Sequence, residues 1–138
     1  RGRIPAYVDT GLNIAHVDDV AHGHLLAFQK GIVGQRYILG GENLSLEQIL
    51  GMIAKEAGFK PPRIKLPRTM LFPVAMAMEG IGTLTGIEPI LTVDALRMAA
   101  KKMYFTSKKA EVQLGYTHRP ASEAIRDATL WFKSNGYC

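Results

Sequence analysis

The segment Leu12-Asn13-Ile14-Ala15-His16-Val17-Asp18-Asp19-Val20-Ala21 constrains the fold more than any other stretch of the chain. A short apolar run meets two aspartates, and a helical pattern begins at once. Aspartate is a strong helix N-cap, because its carboxylate accepts the free backbone N–H groups of the first turn. We therefore expect strand, then an Asp18 or Asp19 cap, then a helix to about Lys30, with Ala21, Leu25 and Phe28 at helical spacing and Gly31 as its stop.

The following residues repeat the alternation. Gln35-Arg36-Tyr37-Ile38-Leu39 reads as a buried strand closed by Gly40-Gly41. Ser45 and Gln48 form a capping box, with Leu44 and Ile49 as a hydrophobic staple. Leu46, Ile49, Leu50, Ile53 and Ala57 make one apolar stripe that Gly58 ends. Arg63-Ile64-Lys65-Leu66 alternates charge and apolar character as a short half-exposed strand does. From Thr69 to about Leu84 the sequence is apolar nearly all round, with Pro73 in the first turn, so this helix is expected to be buried or to cover a partner. Thr92 caps a helix to Lys102, and Ser107 a short one ending at Gly115. The last helix runs from about Ser122 to Asn135 with Ala121, Ile125, Ala128 and Phe132 inward and Gly136 as its stop. The reading is helix-rich α/β, with too few strands to build a sheet around Tyr37 to Leu39. No internal repeat or low-complexity linker interrupts the chain.

Bulk properties narrow the classes. The 138 residues suffice for one modest domain, and 47% hydrophobic content argues against disorder. No apolar run approaches the roughly 20 residues of a membrane span, and no signal-peptide pattern is visible in these residues. One cysteine, Cys138, excludes an internal disulfide and a multi-cysteine zinc site, and fits a reducing cytoplasm. The net charge is +5, but the basic residues lack aromatic interleaving, so they read as a solvated surface rather than a nucleic-acid interface. The charge would equally suit a phosphorylated small molecule. The first residue is Arg1, already within a strand-like sequence, and we expect the chain to be a piece of a longer protein.

Four motifs in order carry a family resemblance. His16-Val17-Asp18-Asp19-Val20-Ala21 resembles the segment that opens the C-terminal part of extended short-chain dehydrogenases/reductases, the NAD-dependent epimerase/dehydratase family. Arg36-Tyr37-Ile38-Leu39-Gly40-Gly41-Glu42-Asn43, followed by Leu44 to Ile49, resembles that family's late strand and next helix. Ser107-Lys108-Lys109-Ala110 through Leu114-Gly115-Tyr116 resembles its Ser-x-Lys-Ala segment, and Pro120 through Trp131-Phe132 its closing helix. Pro5 to Asn13 and Tyr37 to Asn43 are most similar to the hopanoid-associated sugar epimerases, with dihydroflavonol 4-reductase-like proteins as close relatives.

The resemblance implies that residues 1–138 are a C-terminal substrate-binding lobe with the last elements of a Rossmann-type domain whose dinucleotide-binding part is absent. It implies NAD or NADP in the parent protein and a nucleotide-sugar or ketone-type substrate. Hydride transfer in the family uses a tyrosine–lysine–serine set. Arg3, Tyr7 and Arg97 are the substrate-binding candidates it suggests, arginine being suited to phosphate by its forked geometry. Partners would be the missing lobe or a second copy of this chain. The alternative is a non-enzymatic module docking through the methionine-rich helix 70–84.

Three other patterns invite chemistry. Tyr104 and Lys108 have the catalytic Tyr-x-x-x-Lys spacing, but a cap at Ser107 would break the helix between them. Gly80-Ile81-Gly82-Thr83-Leu84-Thr85-Gly86 mimics a dinucleotide loop, yet it follows a helical sequence where that loop must follow a strand. Asp18 and His22 share a helix face, whereas His22 and His24 do not, so no metal ligand set is expected. Neither a catalytic set nor a dinucleotide site is therefore expected in this chain alone.

Overall fold

The computed structural model describes residues 6–89 and 91–137. Ten elements follow in order: β1 Ala6–Val8, β2 Gly11–Ile14, α1 Val17–Lys30, β3 Glu42–Ser45, α2 Leu46–Ala57, β4 Ile64–Leu66, α3 Arg68–Thr85, α4 Val93–Met98, α5 Lys108–Leu114 and α6 Ala121–Ser134. The strands form two separate pairs. β1 runs parallel to β4 with Tyr7 opposite Lys65. β2 runs antiparallel to β3, with Leu12 opposite Leu44 and Asn13 opposite Asn43.

Two small apolar clusters hold these elements, rather than one continuous core. Leu44, Ile49, Ala121 and Ile125 close α2 and α6 over the β2–β3 pair, with Leu12, Ile14 and Met52 around them. Leu26, Ala110, Leu114 and Tyr116 join α1 to α5. A third contact sets α3 against α4, where Ala75 and Leu96 are buried.

Local signals set α2 as expected. Ser45 Oγ accepts the Gln48 N–H, Gln48 returns the bond to the Ser45 N–H, and Gly58 adopts the left-handed conformation at φ 78°. Gly115 and Gly136 also stand at positive φ, after α5 and α6.

Other boundaries differ from the sequence reading. His16, not an aspartate, caps α1: its Nδ1 accepts the Asp18 N–H at 3.2 Å, so both aspartates fall inside the first turn. Residues 35–39 form no strand, because no neighbouring strand among the described residues offers them a ladder. Tyr37 and Leu39 instead pack against the α1–α5 cluster, while Ile38 points outward. α3 begins at Arg68, which puts Pro73 in the second turn and leaves the Thr69 carbonyl without its usual amide partner. α4 stops at Met98, where Ala100 N–H and Lys101 N–H bond to carbonyls three residues back and tighten the chain into turns. On α6, Ala121 and Ile125 are buried, but Ala128 and Phe132 are exposed. Of the two settings expected for α3, buried or covering a partner, burial within this chain is not what is found: Ala75 is its one buried residue.

Candidate substrate-binding surface

Tyr7 lies on β1, almost wholly buried, with Lys65 beside it on β4 and Glu47 reaching it from α2. Burial, and then the nearby Glu47 carboxylate, raise the phenol above its ordinary pKa. A phenol held neutral in this way donates a hydrogen bond and does not act as a base at neutral pH. One residue beyond β1, Asp9 Oδ2 meets Lys65 Nζ at 2.9 Å. That hydrogen bond lowers the Asp9 carboxyl and raises the Lys65 ammonium, so both stay charged. The patch presents one donor and one cation at the edge of a two-stranded parallel pair.

Arg97 sits on the exposed side of α4, its guanidinium 3.1 Å from Asp94 one turn back. It is on a different element from Tyr7 and shares no bond with the Tyr7–Lys65 patch. Arg3 lies outside the described residues.

The residues that carry the family resemblance converge on a polar hub instead. Ser107 Oγ donates to the Gly40 carbonyl and accepts the Gly40 N–H, both at 3.0 Å, and the buried Tyr116 hydroxyl donates to the same carbonyl at 3.1 Å. Asn13 bonds both backbone groups of Gly41, and Asn43 both backbone groups of Phe105. Glu42 Oε2 accepts the Ala121 N–H at 3.2 Å and so caps α6 from a distant strand. Asp19 accepts from the Arg119 backbone N–H at 2.7 Å and from Arg119 Nε at 2.8 Å. Burial alone would raise the Asp19 carboxyl; the bonds from Arg119 outweigh it and hold the group below the usual carboxylate range. Sequence reasoning did not find these contacts, since the partners stand 28 to 100 residues apart and leave no local periodicity.

Two concavities flank the start of α1. One of about 530 Å³ is lined by His16, Asp18, Asp127, Trp131 and Phe132, and His16 Nε2 lies 3.3 Å from Asp127 Oδ2. The other, about 350 Å³, is lined by Asp18, Asp19, His22, Thr117 and Arg119. Among the described residues no group of three His, Cys, Asp or Glu is placed to hold a metal ion.

Neither tempting catalytic pattern has the geometry its chemistry needs. Tyr104 lies in the segment before α5 and Lys108 is the first residue of that helix, so the two share no helix face. Gly80 to Thr85 are part of α3 itself, and Gly86 ends it at φ 71°. A pyrophosphate needs backbone N–H groups at a helix start after a strand; this glycine run ends a helix and does not fit the group.

The α/β arrangement matches the C-terminal portion of Rossmann-type reductases and epimerases. No protein-family model matches the chain. It is similar to a putative dihydroflavonol 4-reductase of Synechocystis sp., 39% identical across 99% of this chain and 41% of that protein. It is also similar to short-chain dehydrogenase/reductase family 42E member 1 of Bos taurus, 27% identical across 98% of this chain and 40% of the relative. Among solved structures, gox2253 matches with a TM-score of 0.78 and 50% identity, covering 98% of this chain and 41% of that one. A nucleoside-diphosphate-sugar epimerase from Pseudomonas aeruginosa matches with a TM-score of 0.74 and 27% identity, covering 99% and 40%. The chain is thus similar over nearly its whole length to short-chain dehydrogenases/reductases and epimerases, and it spans about two fifths of the length of these relatives.

Proposed function

We propose that this chain is the substrate-binding portion of an NAD(P)-dependent reductase or epimerase acting on a nucleotide-sugar or ketone-type substrate. The observation that carries the reading is similarity over nearly the whole chain to a reductase and to a sugar-nucleotide epimerase. The dinucleotide belongs, on this reading, to a part of the protein outside these residues, consistent with a glycine run that ends a helix. NAD(P) would supply the hydride there. This chain contributes shape and polar contacts, with Tyr7 as a donor and Arg3 and Arg97 as the cations for phosphate or sugar oxygens.

A fusion tests it. The N-terminal portion of the Synechocystis relative is joined ahead of this chain, and NAD(P)H consumption is followed with ketones, sugar interconversion with nucleotide sugars. Turnover above that of the N-terminal portion alone is expected, with Arg97→Ala raising KM more than it lowers kcat. A fusion that folds and binds NAD(P)H, yet turns over neither substrate class, would refute the reading.

A further inference from the structure

His16 is 7% exposed, and both of its ring nitrogens are engaged inside this chain. Nδ1 lies 3.2 Å from the backbone nitrogen of Asp18, whose N–H can only donate. Nε2 lies 3.3 Å from Asp127 Oδ2 on α6. The hydrogen bond from Arg126, and after it the one from His16, hold the Asp127 carboxyl below its usual range, so this oxygen is ionised and can only accept. A donor on one side and an acceptor on the other leave the neutral ring one arrangement. The proton sits on Nε2, and the bare Nδ1 caps α1.

A second proton on this ring has one place to go, which is Nδ1. There it meets the Asp18 N–H as donor against donor, and the cap is lost. An acceptor stands beside it. Asp18 Oδ2 is 3.7 Å from His16 Nδ1 and also 3.7 Å from Arg119 Nη2, so it is poised between two cationic partners. The other charges around the ring are already matched. Asp19 is bonded to Arg119 at 2.8 Å, and Asp127 Oδ1 to Arg126 at 3.2 Å. The N-terminal end of the α1 dipole is unfavourable to a cation, and Asp18 is the anion placed to offset it. His22, one turn after Asp18, borders the concavity that Asp18 and Arg119 line, and it makes no bond to His16.

We propose that His16 is a two-position protonation switch at the start of α1. Neutral, it caps the helix through Nδ1. Charged, it gives up the cap and donates from Nδ1 to the Asp18 carboxylate, drawing Asp18 away from Arg119. The only covalent change is one proton taken from solvent onto Nδ1. Nε2 stays on Asp127 in both positions, so the bond between α1 and α6 becomes an ion pair while the first turn of α1 loosens. Asp18 lines both concavities that flank this turn, so its movement changes the charge facing each of them.

The test is nuclear magnetic resonance of the nitrogen-15-labelled 138-residue chain, titrated from about pH 8 down to about pH 5. At the upper end the His16 ring should carry its proton on Nε2 and none on Nδ1; at the lower end both nitrogens should carry one. Exchange of the Asp18 amide, corrected for its intrinsic dependence on pH, should rise about fivefold as the ring gains charge, which is the loss of one cap. His16→Asn keeps a strong capping residue and cannot take the proton. The rise should vanish in it while circular dichroism stays unchanged. His22→Gln should leave the rise in place. A neutral ring with its proton on Nδ1 would overturn the proposal. So would a ring that stays neutral to the end of the titration, or one that gains its second proton with no change in Asp18 exchange. A rise that persists in His16→Asn, or disappears in His22→Gln, would assign the effect to another group. Should His16→Asn fail to fold, the proton positions and the amide exchange of the natural chain decide the matter by themselves.

Discussion

Replacing Asp19 isolates the bond that ties the start of α1 to the start of α6. Its carboxylate is 8% exposed and accepts two hydrogen bonds from Arg119, one from backbone and one from side chain. The backbone bond, shielded and charge-assisted, is worth about 1.5–3 kcal/mol. The guanidinium is more than a third exposed, so solvent screens its share and it adds little. Asp19 also stands in the first turn of α1, where a negative charge gains about 0.3–1 kcal/mol from the helix dipole. Asp19→Ala should therefore cost about 3 kcal/mol, a large part of the ~5–15 kcal/mol that holds a domain together. Asp19→Asn keeps an oxygen for the backbone N–H and should cost less. Arg119→Ala, which preserves that backbone bond, should also cost less than Asp19→Ala.

Urea unfolding followed by far-ultraviolet circular dichroism measures these losses, and acid provides a second axis. The folded carboxyl titrates below its unfolded value of ~3.9. Between the two values the unfolded chain binds more protons, so stability rises with pH there. The Asp19 contribution is thus full above the unfolded value and is lost as pH falls through the folded one. The advantage of the natural chain over Asp19→Asn should shrink through that window. A loss below about 0.5 kcal/mol for Asp19→Ala, within the range of ordinary surface changes, would refute the argument. So would a gap to Asp19→Asn that stays constant into acid.

Three further substitutions address the hub. Ser107→Ala removes both bonds to Gly40 inside a buried site and should cost about 2 kcal/mol in urea unfolding. Glu42→Ala uncaps α6 and should cost about 1 kcal/mol, with amide exchange accelerating first at Ala121 to Glu123. Gly41→Ala drives a methyl group into the Ile14 carbonyl oxygen, and because a backbone atom cannot swing aside, β2 must shift. Its cost should be about 1–3 kcal/mol, read as a lower unfolding midpoint.

What the sequence made legible was local. Ser45, Gln48 and Gly58 act on neighbours within four residues, and α2 follows from them directly. The 35–39 segment was misread because a strand is defined by its partner, and no described strand lies alongside it. His16 displaced the aspartates as the α1 cap, since a ring nitrogen can accept a first-turn N–H as a carboxylate does. Of the candidate site, Tyr7 does lie against charged groups, but Glu47 comes from another element and no spacing announces it. The Arg97–Asp94 pair, three residues apart on one helix, was readable in advance.

The same distinction explains what the recurring motifs of this chain are for. His16-Val17-Asp18-Asp19, Gly40-Gly41-Glu42-Asn43 and Ser107 to Tyr116 are the strings that carry the family resemblance. In the fold their polar atoms are spent on one another: His16 on Asp18 N–H, Asp19 on Arg119, Gly40 on Ser107 and Tyr116, Gly41 on Asn13, Glu42 on α6. None of the buried side-chain polar atoms among the described residues lacks a partner. These residues therefore fix the mutual placement of α1, α5 and α6 around the two strand pairs. Outside the hub, Lys65 on β4 and Arg97 on α4 are exposed and each is paired with a neighbouring aspartate.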